Sequence, residues 1–223
     1  MFNEITGGVC APAGFKANAA WCGVKGKGPE KPDVALILSE QECAAAAVYT
    51  LNRVKAAPLY VTMEHLENGC AWGIVVNSGC ANACCPRSHE SAQAMCKAAA
   101  AATGREPEDF AVASTGVIGQ PLNIGAIEKG LPGIAAGLSE DGSGVTAEAI
   151  MTTDRSKKEI ALSMELGGRE VRLGAVAKGS CMIHPNMGTM LCFLTTDCAI
   201  THEMLDDALS KVSSRTFNRD TVD

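Results

Sequence analysis

The chain has 223 residues, a formal charge of −6 at pH 7 and a pI near 5.3. Apolar residues make up 47% and aromatics only 4%, so Ala, Val, Ile, Leu and Gly must fill a sizeable core. This composition excludes disorder, which needs low hydrophobicity and high net charge. The longest basic run is Arg155-Ser156-Lys157-Lys158, so the electrostatic footprint of a nucleic-acid binder is absent.

In chain order, Met1-Phe2-Asn3-Glu4 lacks a basic start and an apolar run, so no secretory leader is expected. No apolar stretch approaches membrane-spanning length. Within the loop 23–32, Gly23-Val24-Lys25-Gly26-Lys27-Gly28 resembles a phosphate cradle but lacks P-loop spacing; it reads as a turn. Residues 33–38 (DVALIL) form an expected buried strand. Residues 43–51 are ambiguous, with alanines favouring helix and Val48-Tyr49-Thr50 favouring strand. Residues 72–77 (WGIVVN) are a second strand entering the turn Asn77-Ser78-Gly79.

Residues 86–103 predict a helix that begins near Pro86 and stops at Gly104. Residues 110–114 predict a short strand ending at Thr115-Gly116. Residues 123–137 read as helix, against the resistance of Gly130, Pro132 and Gly133 in its second half. Residues 159–166 and 170–176 flank Gly167-Gly168, the signature of a β-hairpin. Residues 190–195 are strand-like. Thr201 then caps a last helix with Met204, Leu205, Ala208, Leu209 and Val212 on one face. The chain stops at Asp223 without completing an element, which suggests a fragment. Mixed order of this kind points to layered α/β or α+β architecture rather than a bundle or a sandwich.

The 11 cysteines are an odd number, which argues against a complete disulfide framework and for free thiols in a reducing cytosol. The tightest group, Cys80, Cys84 and Cys85, lacks paired zinc spacing and reads as small hydrophobes; no metal site is expected.

One hydroxyl stands out. Thr189 follows Gly188 where a loop enters a strand. A hydroxyl there can attack the carbonyl before it, shift the peptide to an ester, and release a free amine on hydrolysis. Gly188 tolerates the backbone angles such a shift needs. The freed α-amine, with a pKa of about 7.7–8.0, is then placed to act as base for its own hydroxyl. Alone, however, a Gly-Thr pair at a strand start reads as turn chemistry.

Ordered blocks shift that balance. Residues 174–198 (GAVAKGSCMIHPNMGTMLCFLTTDC) resemble the self-cleavage segment of the ornithine acetyltransferase family, the bifunctional glutamate N-acetyltransferases. Further blocks match in order: Gly14-Phe15-Lys16-Ala17, Asp33-Val34-Ala35-Leu36-Ile37, Val54-Lys55-Ala56-Ala57-Pro58 and Asn77-Ser78-Gly79-Cys80-Ala81-Asn82-Ala83-Cys84. They continue through Ser114-Thr115-Gly116-Val117-Ile118-Gly119 and Ala149-Ile150-Met151-Thr152-Thr153-Asp154 to Thr221-Val222-Asp223.

The resemblance implies roles. Thr189 would be both the self-cleavage centre, at the Gly188–Thr189 bond, and the acetyl acceptor. Thr115 and Gly116 would form the oxyanion hole. Lys178 and Thr152 would bind substrate together with Thr189, with Thr153 the neighbour if the register is off by one. It implies acetyl transfer from N-acetylornithine to glutamate in arginine biosynthesis, with no cofactor; whether acetyl-CoA is also a donor stays open. It further implies a layered fold with sheets packed between helices, an α-chain region at 1–188, the start of a β-chain region at 189–223, and an α2β2 assembly in the cytoplasm. The family pattern continues past Asp223 to further substrate-binding residues, so this stretch alone is expected to be inactive.

Departures are local. Gly188 stands where the family usually has Ala, and His184 where it has a small apolar residue; His184 is read as a loop or surface residue. Cys80 replaces an Asn, and Cys85-Pro86 a Thr-Gly pair. Two other readings stay open: an N-terminal-nucleophile amidase or aminopeptidase using water as acceptor, and an inactive fragment or uncleaved binding protein.

Overall fold

The computed structural model describes residues 2–26, 31–179 and 190–219. Strands β1 (Phe2–Ile5), β2 (Phe15–Ala20) and β3 (Val34–Ala44) precede helix α1 (Ala57–His65). Next come β4 (Cys70–Cys80), α2 (Ser88–Thr103), β5 (Phe110–Val117), α3 (Ile124–Ala136) and α4 (Ser143–Ala149). The hairpin β6 (Lys158–Leu166) and β7 (Arg169–Lys178) leads to β8 (Leu191–Thr196) and α5 (His202–Arg215).

Two four-stranded sheets result, ordered β2-β3-β4-β5 and β1-β6-β7-β8. The second is antiparallel throughout; in the first, β4 and β5 run parallel. β3 shows why the first sheet is central. Val34 and Leu36 point into a core shared with Met95, Cys96 and Ala99 of α2 and Ile127, Leu131 and Ile134 of α3. Ala35 and Ile37 point the other way, into a second core with Val9, Val76, Ile150 and Val176. A strand covered on both faces is apolar at every position, which accounts for the unbroken DVALIL run. The expected layered α/β architecture therefore holds, with helices on one sheet and that sheet on the next.

β5 is an edge strand, and its outward backbone groups need partners. α1 supplies them. The Thr62 hydroxyl donates to Val112 O at 2.7 Å and accepts from Val112 N at 2.8 Å, and His65 Nδ1 lies 2.8 Å from Phe110 O. The strand that carries Thr115 and Gly116 is thus held on both sides.

Several expectations are corrected. Asn77-Ser78-Gly79 is not a turn: these residues continue β4 and pair with Ser114, Thr115 and Gly116. The ambiguous stretch 43–51 ends β3 at Ala44 and then runs without regular structure to Ala56. α3 continues through Gly130, Pro132 and Gly133, because Pro132 faces solvent and the helix is anchored by Ile127, Leu131 and Ile134. On α5, Thr201 does cap, accepting from Met204 N at 3.4 Å. The inner stripe is Leu205, Leu209 and Ser213, while Met204 and Val212 are exposed. The 23–28 stretch offers no phosphate cradle among its described residues, because the amides of Gly23, Val24 and Lys25 turn inward onto Asp33. The hairpin expected at Gly167-Gly168 is present, both residues taking positive φ. No helix among the described residues is long and apolar enough to cross a membrane.

Candidate functional site

The ends of β4, β5 and β7 and the start of β8 open onto one cavity of about 1580 Å³. Thr115, Gly116, Thr152, Thr153, Lys178 and Met190 all line it. Residues from four separate stretches of the chain are therefore brought to one place. Thr189 and Gly188, with Ser180 and His184, lie outside the described residues. Chain order puts Thr189 directly before Met190.

Thr115 and Gly116 sit in the last turn of the pleat of β5, not in a turn beyond it. Thr115 is 8% exposed, and its hydroxyl has no hydrogen-bond partner among the described residues. A hydroxyl in that condition is available to a ligand. Gly116 takes φ +133°, a conformation L side chains rarely adopt. A Cβ there would meet Gly79 C and stand 2.6 Å from Cys80 N. Glycine is therefore required at 116 on two counts.

The loop after β4 has three non-glycine residues at positive φ: Asn82, Cys84 and Arg87. Cys80, the departure from the family's Asn, is buried; its thiol lies 3.3 Å from Gln120 O and accepts from Asn82 N at 3.4 Å. The Asn82 side chain donates to Ser88 O at 2.8 Å. The substituted thiol thus stays within the loop's hydrogen bonding. All ten cysteines among the described residues are free, and no group there is arranged to hold a metal ion.

Lys178 closes β7, pairs in register with Leu191 at the start of β8, and is buried. Its ammonium donates to Gly179 O at 2.8 Å. Thr152 is exposed in the turn that follows α4. The two are tied by a residue that the sequence reading did not single out. Asp154 accepts from Gly179 N at 2.7 Å through Oδ1 and from Thr152 N at 3.3 Å through Oδ2. Lys158 Nζ donates to the same Oδ1 at 2.7 Å. Burial opposes ionisation of Asp154, but Lys158 and the two backbone amides together outweigh it and hold the carboxyl below the usual carboxylate range. One carboxylate therefore fixes the spacing between the Thr152 turn and the end of β7.

A second tie runs through Ser78, fully buried, whose hydroxyl donates to Ala149 O at the end of α4. Neither Asp154 nor Ser78 carries a motif of its own. The only signal available was their place inside the matching blocks.

Cys192 also lines the cavity, three residues after Thr189 in the chain. Burial pushes its thiol up to about 11. The thiolate is the nucleophilic form, so Cys192 is held in its unreactive state near neutral pH.

The chain as a whole is similar to proteins of known family. The ArgJ family model matches residues 16–223. The arginine biosynthesis bifunctional protein ArgJ of Symbiobacterium thermophilum is 50% identical over 220 residues, covering 98% of this chain and 55% of that protein. The crystal structure of the protein of the same name from Bacillus halodurans superposes with a TM-score of 0.77 at 38% identity, covering 86% of this chain and 98% of that one. The structure of ornithine acetyltransferase complexed with ornithine, from Mycobacterium tuberculosis, gives a TM-score of 0.74 at 35% identity, covering 82% and 97%. The chain spans about half the length of the curated relatives it matches.

Proposed function

The chain belongs to the ArgJ family, and on that premise we propose that it carries the nucleophile and oxyanion hole of an acetyltransferase that moves acetyl from N-acetylornithine to glutamate. The observation that carries this reading is convergence. Thr115, Gly116, Thr152 and Lys178 come from separate segments and line one cavity, and Met190, next in the chain to Thr189, lines it too.

The chemistry runs in three acts. First, the Thr189 hydroxyl attacks the Gly188 carbonyl and the C–N bond breaks, leaving an ester and a free amine at Thr189; water then cleaves that ester, which restores the hydroxyl and leaves Gly188 as a carboxylate. Second, that amine takes the hydroxyl proton as the oxygen attacks the acetyl carbonyl of N-acetylornithine. The amide C–N bond breaks, the proton passes to the leaving amine, and ornithine departs. Third, the amine of glutamate attacks the acetyl ester, and N-acetylglutamate leaves with the Thr189 hydroxyl restored.

Each tetrahedral intermediate places negative charge on the former carbonyl oxygen. The Thr115 hydroxyl and the Gly116 amide are the donors assigned to it, and such donors contribute most when they are fixed in advance. The Lys178 ammonium pairs with the amino acid's carboxylate, and Thr152 supplies a second polar contact. The α- and β-chain regions, 1–188 and 189–223, stay together after cleavage. Support for this is the antiparallel pairing of β8 with β7 across residues 173–178 and 191–196. The processed protein assembles as α2β2 in the cytoplasm, and turnover needs the remainder of the family-length protein.

The test is an assay of the full-length protein with N-acetylornithine, with and without glutamate. Acetyl transfer that depends on glutamate supports the reading. Acetate release at the same rate without glutamate contradicts it and marks an amidase.

A further inference from the structure

Asp33 immediately precedes β3 and is fully buried. Its carboxylate accepts from four consecutive backbone amides. Oδ1 takes Cys22 N at 2.6 Å, and Oδ2 takes Gly23 N at 3.1 Å, Val24 N at 2.7 Å and Lys25 N at 3.0 Å. Successive amides turned onto one anion form a nest, and charge-assisted hydrogen bonds of this kind are the strong ones. Here the anion is the chain's own side chain. The Lys25 ammonium closes the same loop by donating to Pro32 O at 3.0 Å.

The loop so held lies against the site. Gly79, near the end of β4, has Lys25 as its neighbour: a Cβ on Gly79 would stand 2.9 Å from Lys25 Cα and 3.0 Å from Lys25 N. Gly79 is also the register partner of Gly116, where a Cβ would stand 2.7 Å from Gly79 O. Three backbones are therefore stacked, Lys25 on Gly79 on Gly116, and the Lys25 side chain joins the first contact, its Cγ 2.8 Å from where a Gly79 Cβ would stand. Asp33 grips both ends of the first step. Its carboxylate holds the Lys25 backbone, and its own carbonyl accepts from Ser78 N at 2.8 Å, one residue before Gly79. Close-packed backbone contacts transmit displacement instead of absorbing it.

We infer that Asp33 is a positioning residue for the Thr115–Gly116 donor pair, acting through the stacked backbones of Lys25 and Gly79. The inference rests on the reading of that pair as an oxyanion hole. Asp33 touches no substrate; it sets where Gly116 stands. Its loss weakens stabilisation of the oxyanion and leaves the contacts of Thr152 and Lys178 with the amino acid in place.

Asp33→Asn in the full-length protein tests this. It keeps the side chain's shape but turns an acceptor that serves several amides into a donor that opposes them. The expected result is a fall of about ten- to a hundredfold in kcat, the scale on which small misplacements act, with kcat/KM falling by the same factor. A role in folding alone lowers the active fraction by one factor in any background. The decisive comparison therefore adds Asp33→Asn to Thr115→Ala, where the hole is already impaired. Here the second substitution adds far less than its factor in the unmodified protein. Losses that simply multiply overturn the inference, as does an Asp33→Asn enzyme of full rate.

If Asp33→Asn does not fold, Gly79→Ala carries the test. It leaves Asp33 intact and drives the Lys25 backbone away from the stack, with the same loss expected. A Gly79→Ala enzyme of full rate overturns the inference. A Thr115→Ala enzyme of full rate removes the oxyanion-hole reading itself. An impaired Thr115→Ala beside a fully active Asp33→Asn removes the Asp33 role alone.

Discussion

The Ser114 hydroxyl donates to Asn77 Oδ1 at 2.6 Å, joining β4 to β5 where the two residues are register partners. The Asn77 amide nitrogen in turn donates to Cys80 O at 3.0 Å. One fully buried side chain thus pins both strand ends around Thr115 and Gly79. Asn77→Leu leaves the half-buried Ser114 hydroxyl with only the Met95 thioether, 3.9 Å away, and takes the amide donor from Cys80 O. The expected cost is about 1–3 kcal/mol, the scale of a buried polar group left short of its partner. The urea midpoint of the full-length protein reads it directly.

Thr115→Ala removes one proposed donor to the oxyanion. Its expected effect is a loss of about a hundred- to a thousandfold in kcat, the range seen when single oxyanion-hole donors are removed. Thr115→Ser keeps the hydroxyl and stays within about tenfold of the unmodified rate. Steady-state kinetics on the two variants decide whether the hydroxyl or the methyl group matters; equal rates for Ala and Ser contradict the assignment.

Gly116→Ala adds both backbone strain, at φ +133°, and a collision with the Gly79 carbonyl. It is expected to destabilise by about 1–3 kcal/mol and to lose transfer activity by more than that stability change accounts for. Thermal melts set against kcat measure the two effects separately.

Asp154 gives a pH-dependent expectation. Its folded-state pKa lies below the unfolded value because Lys158 and the Gly179 and Thr152 amides outweigh its burial. Ionisation therefore favours the folded protein. That contribution is complete above about pH 5, then is lost as the pH falls through the unfolded value near 3.9 to the lower folded one. Asp154→Asn removes it at every pH. Denaturant melts should show a gap of about 2 kcal/mol between the two proteins at pH 7, the scale of hydrogen bonds to a charged group, narrowing as the pH drops below about 4. A gap that does not change with pH rules this out.

The cysteines separate by environment. Cys84 is exposed, whereas burial, then the nearby Glu108 carboxylate, pushes the Cys96 thiol up to about 12. A thiol reagent at pH 8 should label Cys84 readily and Cys96 only once the protein unfolds. Mass mapping of labelled peptides checks the order.

Elements with a strong internal pattern were legible from the sequence. Residues 33–38 are apolar on both faces because both faces are covered. The 86–103 helix and the Gly167-Gly168 hairpin also stand, the helix beginning at Ser88 after Arg87 in a left-handed conformation. Elements shaped by their surroundings were not legible. β2 is six residues with three alanines, and α4 is seven residues packed between the sheets. Neither carries a periodic signal long enough to read. α1 only begins in the family-matching block 54–58 and was not read as a helix beyond it; its work is done by Thr62 and His65 at the β5 edge.

The site was read from resemblance, and its supports were not. Thr115, Gly116, Thr152 and Lys178 are ordinary residues until the ordered blocks single them out. Asp33 and Asp154 look the same in sequence whether solvated or buried. Only the amides that converge on them show that each holds a piece of the site in place.

In the proposed mechanism Thr189 becomes a chain terminus and then carries acetyl. Intact-mass measurement of the full-length protein, before and after exposure to N-acetylornithine, tests it most directly. The expected result is two chains divided at Gly188–Thr189, the second gaining one acetyl group that glutamate removes. A single unbroken polypeptide that gains no acetyl group contradicts it.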